Sequence, residues 1–143
     1  MDGHALLFTD LVDSTAVVER LGDARAGGLM AEHDRVARAL LARHGGRETD
    51  HSDGFFVLFD DASNAASFAL AYHAALAPLD LRARAGLHVG PVTLRENAPD
   101  EVARGAKQVE VEGIAKPLAA RVMSLARGGQ TLLTEPARSA IEA

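Results

Sequence analysis

The chain predicts an α+β fold: a ferredoxin-like β-α-β-β-α-β core with additional αβ elements. Three observations predict it. Apolar runs of strand length, such as Ala5 to Thr9 and Phe55 to Phe59, are separated by longer stretches with helical spacing. Asp53-Gly54 sits between two strand-like segments as a hairpin turn. From Arg82 to His88 charged and apolar side chains alternate, Arg82 and Arg84 against Ala83, Ala85 and Leu87, the period of a strand.

Ala5 to Thr9 reads as a buried strand. Asp13-Ser14-Thr15 reads as a helix start, because short polar side chains accept bonds from the orphan amides of a first turn. A longer helix spans about Ala24 to His44, with Leu29, His33, Val36 and Leu40 as its inner stripe, and Gly45-Gly46 ends it. Gly27-Gly28 reads as a bend between two helices. Arg47 to His51 is a polar strand, and Phe55 to Phe59, apolar throughout, is a central one. A helix from about Ser63 to Leu76 presents Ala65, Phe68, Ala69, Tyr72 and Leu76 on one face, and Pro78 marks its exit. Gly90-Pro91 breaks the strand that starts at Arg82, and Val92 to Leu94 resumes it. Glu96 to Gln108 is polar and irregular, a loop or hairpin arm, and Val109 to Val111 is a short strand. A helix over about Lys116 to Ala126 turns Leu118, Val122 and Leu125 inward. Gly128-Gly129 stops it, Thr131 to Thr134 is a strand, and a last helix starts at Pro136. Helices on one side of such a sheet leave the other face in need of cover, which points to a partner subunit or a neighbouring domain.

At 143 residues with 48% hydrophobic side chains, the composition suits one domain with a sizeable core. Cysteine is absent, which excludes disulfides, thiolate metal sites and cysteine nucleophiles. No stretch reaches the ~18 apolar residues of a membrane span. Asp10 interrupts the first apolar run too early for a signal peptide, so a cytoplasmic domain without membrane contact is expected. The formal charge is −5, basic residues are scattered and aromatics are only 4%. That balance argues against nucleic-acid binding. A small anionic substrate stays compatible with it, because bound cations reverse the local field.

Asp10 ends a hydrophobic strand and Asp53 sits in the hairpin turn. In this topology the first strand and that hairpin are neighbours, so the two carboxylates can converge on divalent metal. Two metals ~3.5–4 Å apart would activate a hydroxyl and neutralise phosphate oxygens. The other reading gives them separate local roles, a cap and a turn residue. The turn after Asp10 opens a helix start that suits an anion, with hydroxyls from Ser14 and Thr15, or it is an ordinary helix cap. Asp13 adds negative charge there and needs metal or basic compensation. Arg121 follows two alanines on an apolar helix, where it can reach into a cleft and bind phosphate or lie along the helix edge. Lys116, Lys107 and Arg104 are weaker candidates. Glu110 can accept from an exocyclic amine or be solvated. His51 stands near Asp53, and His88 reads as a sheet histidine.

Together these pieces resemble the catalytic domain of class III nucleotide cyclases. Phe8-Thr9-Asp10-Leu11-Val12-Asp13-Ser14-Thr15 is similar to that family's first metal motif and Asp53-Gly54-Phe55-Phe56 to its second. Arg84-Ala85-Gly86-Leu87-His88-Val89-Gly90 resembles its sheet strand. Ala119-Ala120-Arg121 followed by Gly128-Gly129-Gln130-Thr131-Leu132-Leu133 resembles its catalytic helix and the strand beyond. The matches fall in the family's order over most of residues 5–134.

The resemblance implies a head-to-tail homodimer with active sites at the interface, often attached to a sensory or effector domain. It implies two Mg2+ or Mn2+ ions held by Asp10 and Asp53, and phosphates held at the turn Leu11, Val12, Asp13, Ser14 and Thr15. Arg121 matches the arginine that stabilises pentavalent phosphorus, and Glu110 lies where an adenine-selecting aspartate often sits. The reaction implied is cyclisation of ATP, with GTP as the alternative, to a 3′,5′-cyclic nucleotide and pyrophosphate. The chain departs from the family in four places. Pro117 replaces the usual asparagine one turn before the arginine, and Ser52 replaces the usual glycine before Asp53. The base-selecting lysine falls at Thr49 or Asp50 and is absent. The family's closing strands, with a triphosphate-binding lysine, fall beyond Ala143. These departures leave a catalytically degenerate domain, used for dimerisation or nucleotide sensing, as the alternative. An unrelated ferredoxin-like binding module would keep Asp10 and Asp53 far apart.

Overall fold

The computed structural model describes residues 3–52 and 54–143. The chain runs β1 (Gly3–Leu11), α1 (Ser14–Leu21), α2 (Asp23–His44), β2 (Arg47–His51), β3 (Phe55–Phe59) and α3 (Ala62–Leu76), then a short 3-10 turn (Ala77–Leu79). It continues through β4 (Ala83–Pro91), β5 (Thr93–Glu96), α4 (Pro99–Ala103), β6 (Val109–Glu112), α5 (Ala115–Ser124), β7 (Gln130–Leu133) and α6 (Glu135–Glu142). The main sheet has the order β2-β3-β1-β4-β7. β1 pairs antiparallel with β3 and β4, β2 antiparallel with β3, and β4 parallel with β7. The fold is α+β with a ferredoxin-like core, as the sequence predicts.

β1 occupies the middle because both of its faces are apolar. Ala5, Leu7 and Leu11 join the larger core with Val57, Phe59, Phe68, Tyr72 and Leu87, under α2, α3 and α6. Leu6, with Phe8 against it, joins a smaller core with Phe56, Leu58, Val111, Ala115 and Ala119 on the other face. Strand alternation puts Asp10 on that second face and Thr9 on the first. The second face is covered by α5 and the β5–β6 hairpin of this chain itself, which corrects the expectation that cover must come from elsewhere.

Two helices differ from their expected faces. In α2 the buried line is Ala26, His33, Ala37 and Leu41, one position round from the expected stripe, of which His33 alone is fully buried. The break before α2 falls at Gly22, whose φ of 83° lies in the left-handed region, while Gly27 and Gly28 run inside the helix. In α5 Leu118 faces outward, 43% exposed, as does Leu125 just past its end, 62% exposed, and Ala115 and Ala119 are the buried residues. The reason is distance. A Cβ on Gly86 of β4 would run into the backbone of Met123, and one on Gly90 would press on Ala115. The helix lies so close to β4 that only small side chains fit between them. Gly86→Ala is therefore expected to destabilise the fold by about 1–3 kcal/mol, read from urea unfolding.

Histidines tie the layers together. His73 of α3 bonds Thr131 through Nε2 at 2.8 Å, and His88 of β4 bonds Thr134 through Nδ1 at 2.8 Å. Burial lowers the pKa of His73, His88 and His33 below the ordinary histidine value. Each then binds fewer protons in the folded chain than in the unfolded chain as pH falls through that value, so acid favours unfolding. Their contribution is intact above pH ~6.5 and is lost below it. The urea midpoint is expected to be lower at about pH 5 than at about pH 7.5.

Candidate functional site

Asp10 and Arg84 face each other directly across the β1–β4 ladder. Arg84 Nη2 donates to Asp10 Oδ2 at 2.8 Å, with both side chains half-buried. Arg84 Nε is buried and has no hydrogen-bond partner. In the sequence Arg84 stands out only as one residue of an alternating strand and of the segment Arg84 to Gly90 that resembles the family's sheet strand. The signal that singles it out is register, because strand pairing brings it to the acid end of β1.

The second turn is seated against the same place. A Cβ on Gly54 would collide with the Thr9 carbonyl. The Phe55 amide donates to Thr9 Oγ1 at 2.9 Å, and the Ser52 amide to the Gly54 carbonyl at 3.0 Å. A cleft of about 150 Å³ there is lined by Thr9, Asp10, Asp50, His51, Ser52, Gly54 and Met123, among others. Asp53, the second expected metal ligand, lies outside the described residues. Among the described residues no group of three or more histidines or acids gathers as a metal cluster. Asp10 supplies a hard oxygen donor, the kind that suits Mg2+ or Mn2+.

On its other side Asp10 opens into a cleft of about 490 Å³, lined by Leu11, Asp13, Ser14, Thr15, Glu19 and Arg84 as well. Asp13 is the N-cap of α1 but adopts the left-handed conformation, φ 56°, and its side chain makes no capping bond. The first turn of the helix thus meets the cleft with its positive dipole end. Leu11 has its side chain buried, and the Val12 amide donates to the Arg82 carbonyl at 2.9 Å. These two residues shape the loop through which the turn is presented.

Arg121 lines neither cleft that holds Asp10. It is exposed on α5 among Ile114, Leu118 and Leu125, three exposed apolar side chains. Pro117 is exposed in the first turn of that helix, where a missing backbone donor costs little. Glu110 accepts from Asn97 Nδ2 at 3.0 Å and pairs with Lys107 at 3.4 Å. The Asn97 bond, then the Lys107 charge, holds its carboxyl below the usual carboxylate range. Lys107 also reaches Asp50 at 3.4 Å, so a lysine of the hairpin arm stands at the strand position where the expected lysine is absent.

No family model matches the sequence, and no curated protein matches it. Solved structures do match. An adenylate cyclase from Trypanosoma brucei, in its monomeric state, aligns with a TM-score of 0.84 and 23% identity over 100% of this chain and 76% of that one. The adenylyl cyclase CyaB from P. aeruginosa aligns with a TM-score of 0.88 and 20% identity over 98% and 80%. The guanylate cyclase domain of RhGC from Catenaria anguillulae, in complex with GTP, aligns with a TM-score of 0.86 and 17% identity over 99% and 83%. The fold is that of class III nucleotide cyclase catalytic domains. No helix among the described residues is long and apolar enough to cross a membrane.

Gly54→Ala is expected to wedge the second turn away from Thr9. The measurable outcome is a lower thermal midpoint together with loss of the Phe55 amide's protection from hydrogen exchange.

Proposed function

We propose that this chain is a nucleotide cyclase catalytic domain that turns ATP into 3′,5′-cyclic AMP and pyrophosphate at a homodimer interface. One observation carries this reading: in a cyclase fold, Asp10 stands where Ser52, Gly54, the first turn of α1 and Arg84 meet. Asp10 and Asp53 are the residues that would hold Mg2+ or Mn2+. Such ions acidify a ribose 3′-hydroxyl and neutralise phosphate charge. The hydroxyl oxygen bonds to the α-phosphorus, the bond to the pyrophosphate oxygen breaks, and the hydroxyl proton leaves to solvent.

The chain's own residues supply binding and orientation. The first turn of α1 and the guanidinium of Arg84 face the same cleft and suit the triphosphate. Arg121 suits the charge that builds on phosphorus, where a preformed cation acts most strongly. In one chain it stands away from Asp10, so it must act on a second copy's site. Its setting among Ile114, Leu118 and Leu125 supports that, since exposed apolar side chains grouped around an arginine suit a docked surface. Glu110 suits the exocyclic amine of adenine, with Lys107 beside it as a donor to a ring nitrogen. GTP is the alternative substrate, because the same acceptor and donor can meet a guanine edge, and the fold relatives include both adenylate and guanylate cyclases. A second reading, a domain that dimerises or senses nucleotide without turning it over, is favoured by Pro117. Proline has no side-chain amide with which to orient a ribose.

Purified protein with Mn2+ and ATP is expected to release cyclic AMP and pyrophosphate, with GTP run in parallel. Asp10→Asn should abolish product, and Arg121→Ala should lower kcat by about a hundredfold or more. Mixing these two inactive variants should restore part of the activity, because a mixed dimer has one intact site. Calorimetric binding of ATP without product would instead favour the sensing reading.

A further inference from the structure

A chain of hydrogen bonds and polar contacts runs beneath the candidate site, and the reaction does not account for it. His33 of α2 is only 1% exposed. Its Nε2 lies 2.6 Å from the Tyr72 hydroxyl of α3, and its Nδ1 lies 2.9 Å from Asp34 Oδ1. The same Asp34 oxygen is 3.1 Å from His51 Nε2. At the other end the Thr9 side chain is a polar neighbour of the Tyr72 phenol, opposing the rise that burial causes, and Thr9 Oγ1 accepts from the Phe55 amide. The His33 ring also stacks on Phe55, with centroids 5.8 Å apart.

The protons of this chain have one consistent arrangement. The Asp34 carboxylate only accepts, so His33 carries its proton on Nδ1. Burial favours the neutral imidazole, more strongly than the Asp34 bond favours the charged one. Nε2 is therefore an acceptor, and the Tyr72 hydroxyl must donate to it. Burial pushes the Tyr72 phenol up, which keeps that proton in place. The Tyr72 oxygen is then left able to accept, with the Thr9 side chain as its polar neighbour, and Thr9 accepts from Phe55. The donors point one way from Phe55 to Asp34, and His51 donates to Asp34 from the opposite end. Polar groups satisfied in sequence this way stiffen one another.

The ends of the chain fall on both flanks of the second turn, His51 before it and Phe55 after it. Next to the Phe55 end it includes Thr9, the residue before Asp10. We infer that His33 is a positioning residue: through Tyr72 and Thr9 on one side, and Asp34 and His51 on the other, it holds Phe55 and His51, the two flanks of the second turn, in register with Asp10. This rests on the cyclase reading only in taking Asp10 as a metal ligand. Residues one shell behind a metal ligand typically change metal affinity by about 10–100-fold when removed.

Tyr72→Phe and Thr9→Val each cut the chain with almost no change in volume. The test is manganese titration followed by electron paramagnetic resonance, with 3′-deoxy-ATP present so that no turnover occurs. Wild type is expected to bind Mn2+ and Asp10→Asn to lose it. Both cut variants, folded by circular dichroism, are expected to bind about tenfold more weakly. The double variant should be little worse than either single one, since both break the same chain. Folded cut variants that bind Mn2+ as wild type does would overturn the inference and leave the cyclase reading standing. Wild type binding no better than Asp10→Asn would overturn both. If the cut variants do not fold, nitrogen NMR of the wild-type histidine rings decides. A neutral His33 with the proton on Nδ1, its signals shifting when Mg2+ and the analogue bind, supports the inference. A proton on Nε2, or unmoved signals on binding, overturns it.

Discussion

The close approach of Gly54 to the Thr9 carbonyl is the constraint on which the site depends. Two backbones can come this near only where one of them lacks a Cβ. The contact lies beside the β1–β3 ladder, whose register pairs Phe8 with Phe56, so the turn has no freedom to slide along β1. Thr9 fixes the orientation as well, since its hydroxyl takes the Phe55 amide that would otherwise be orphaned at the strand's start. Asp10 follows on the opposite face. One residue thus faces the core and locks the turn, and the next carries the charge that the turn is built around.

The same economy of space governs the other side of the sheet. Gly86 and Gly90 let α5 settle onto β4, and the helix meets them with Ala115, Ala119 and the backbone at Met123. Because the inner side is filled by small residues, the large ones are left to point outward. Ile114, Leu118 and Leu125 are therefore exposed by the same packing that holds the helix down. Arg121 lies among them on a helix that the glycine contacts keep from rocking, which is the rigidity a transition-state contact from a second chain would need.

Much of the fold was legible because the relevant signals are local. β2 and β3 span the expected residues, and the five side chains expected on the inner face of α3 are all buried. Asp10 and the glycine turn were legible for the same reason, as breaks at the ends of apolar runs. What escaped is non-local. The inward face of α5 is decided by glycines some thirty residues earlier in the chain, so hydrophobicity along the helix pointed the wrong way round. In α2 the helical spacing put His33 on the inner line, but not the Tyr72 and Asp34 partners that satisfy it there, a pairing no periodicity contains. Arg84 became visible only once β1 and β4 were in register.

Charge links the composition to the chemistry proposed for the site. Three carboxylates, Asp10, Asp13 and Glu19, and one guanidinium, Arg84, line the larger cleft. A triphosphate entering alone would meet a net negative wall, in a chain whose formal charge is already −5. The dipole of α1 offsets only a fraction of one charge. Under the proposed reading an anion of that size would be held there in company with cations, the form in which divalent metals accompany nucleoside triphosphates. The surplus of acid that argues against nucleic acid as a partner is thus compatible with the metal-dependent phosphoryl chemistry proposed for the site. Arg84 has a simple electrostatic part in this cleft, because its bond to Asp10 pairs one of the three carboxylates.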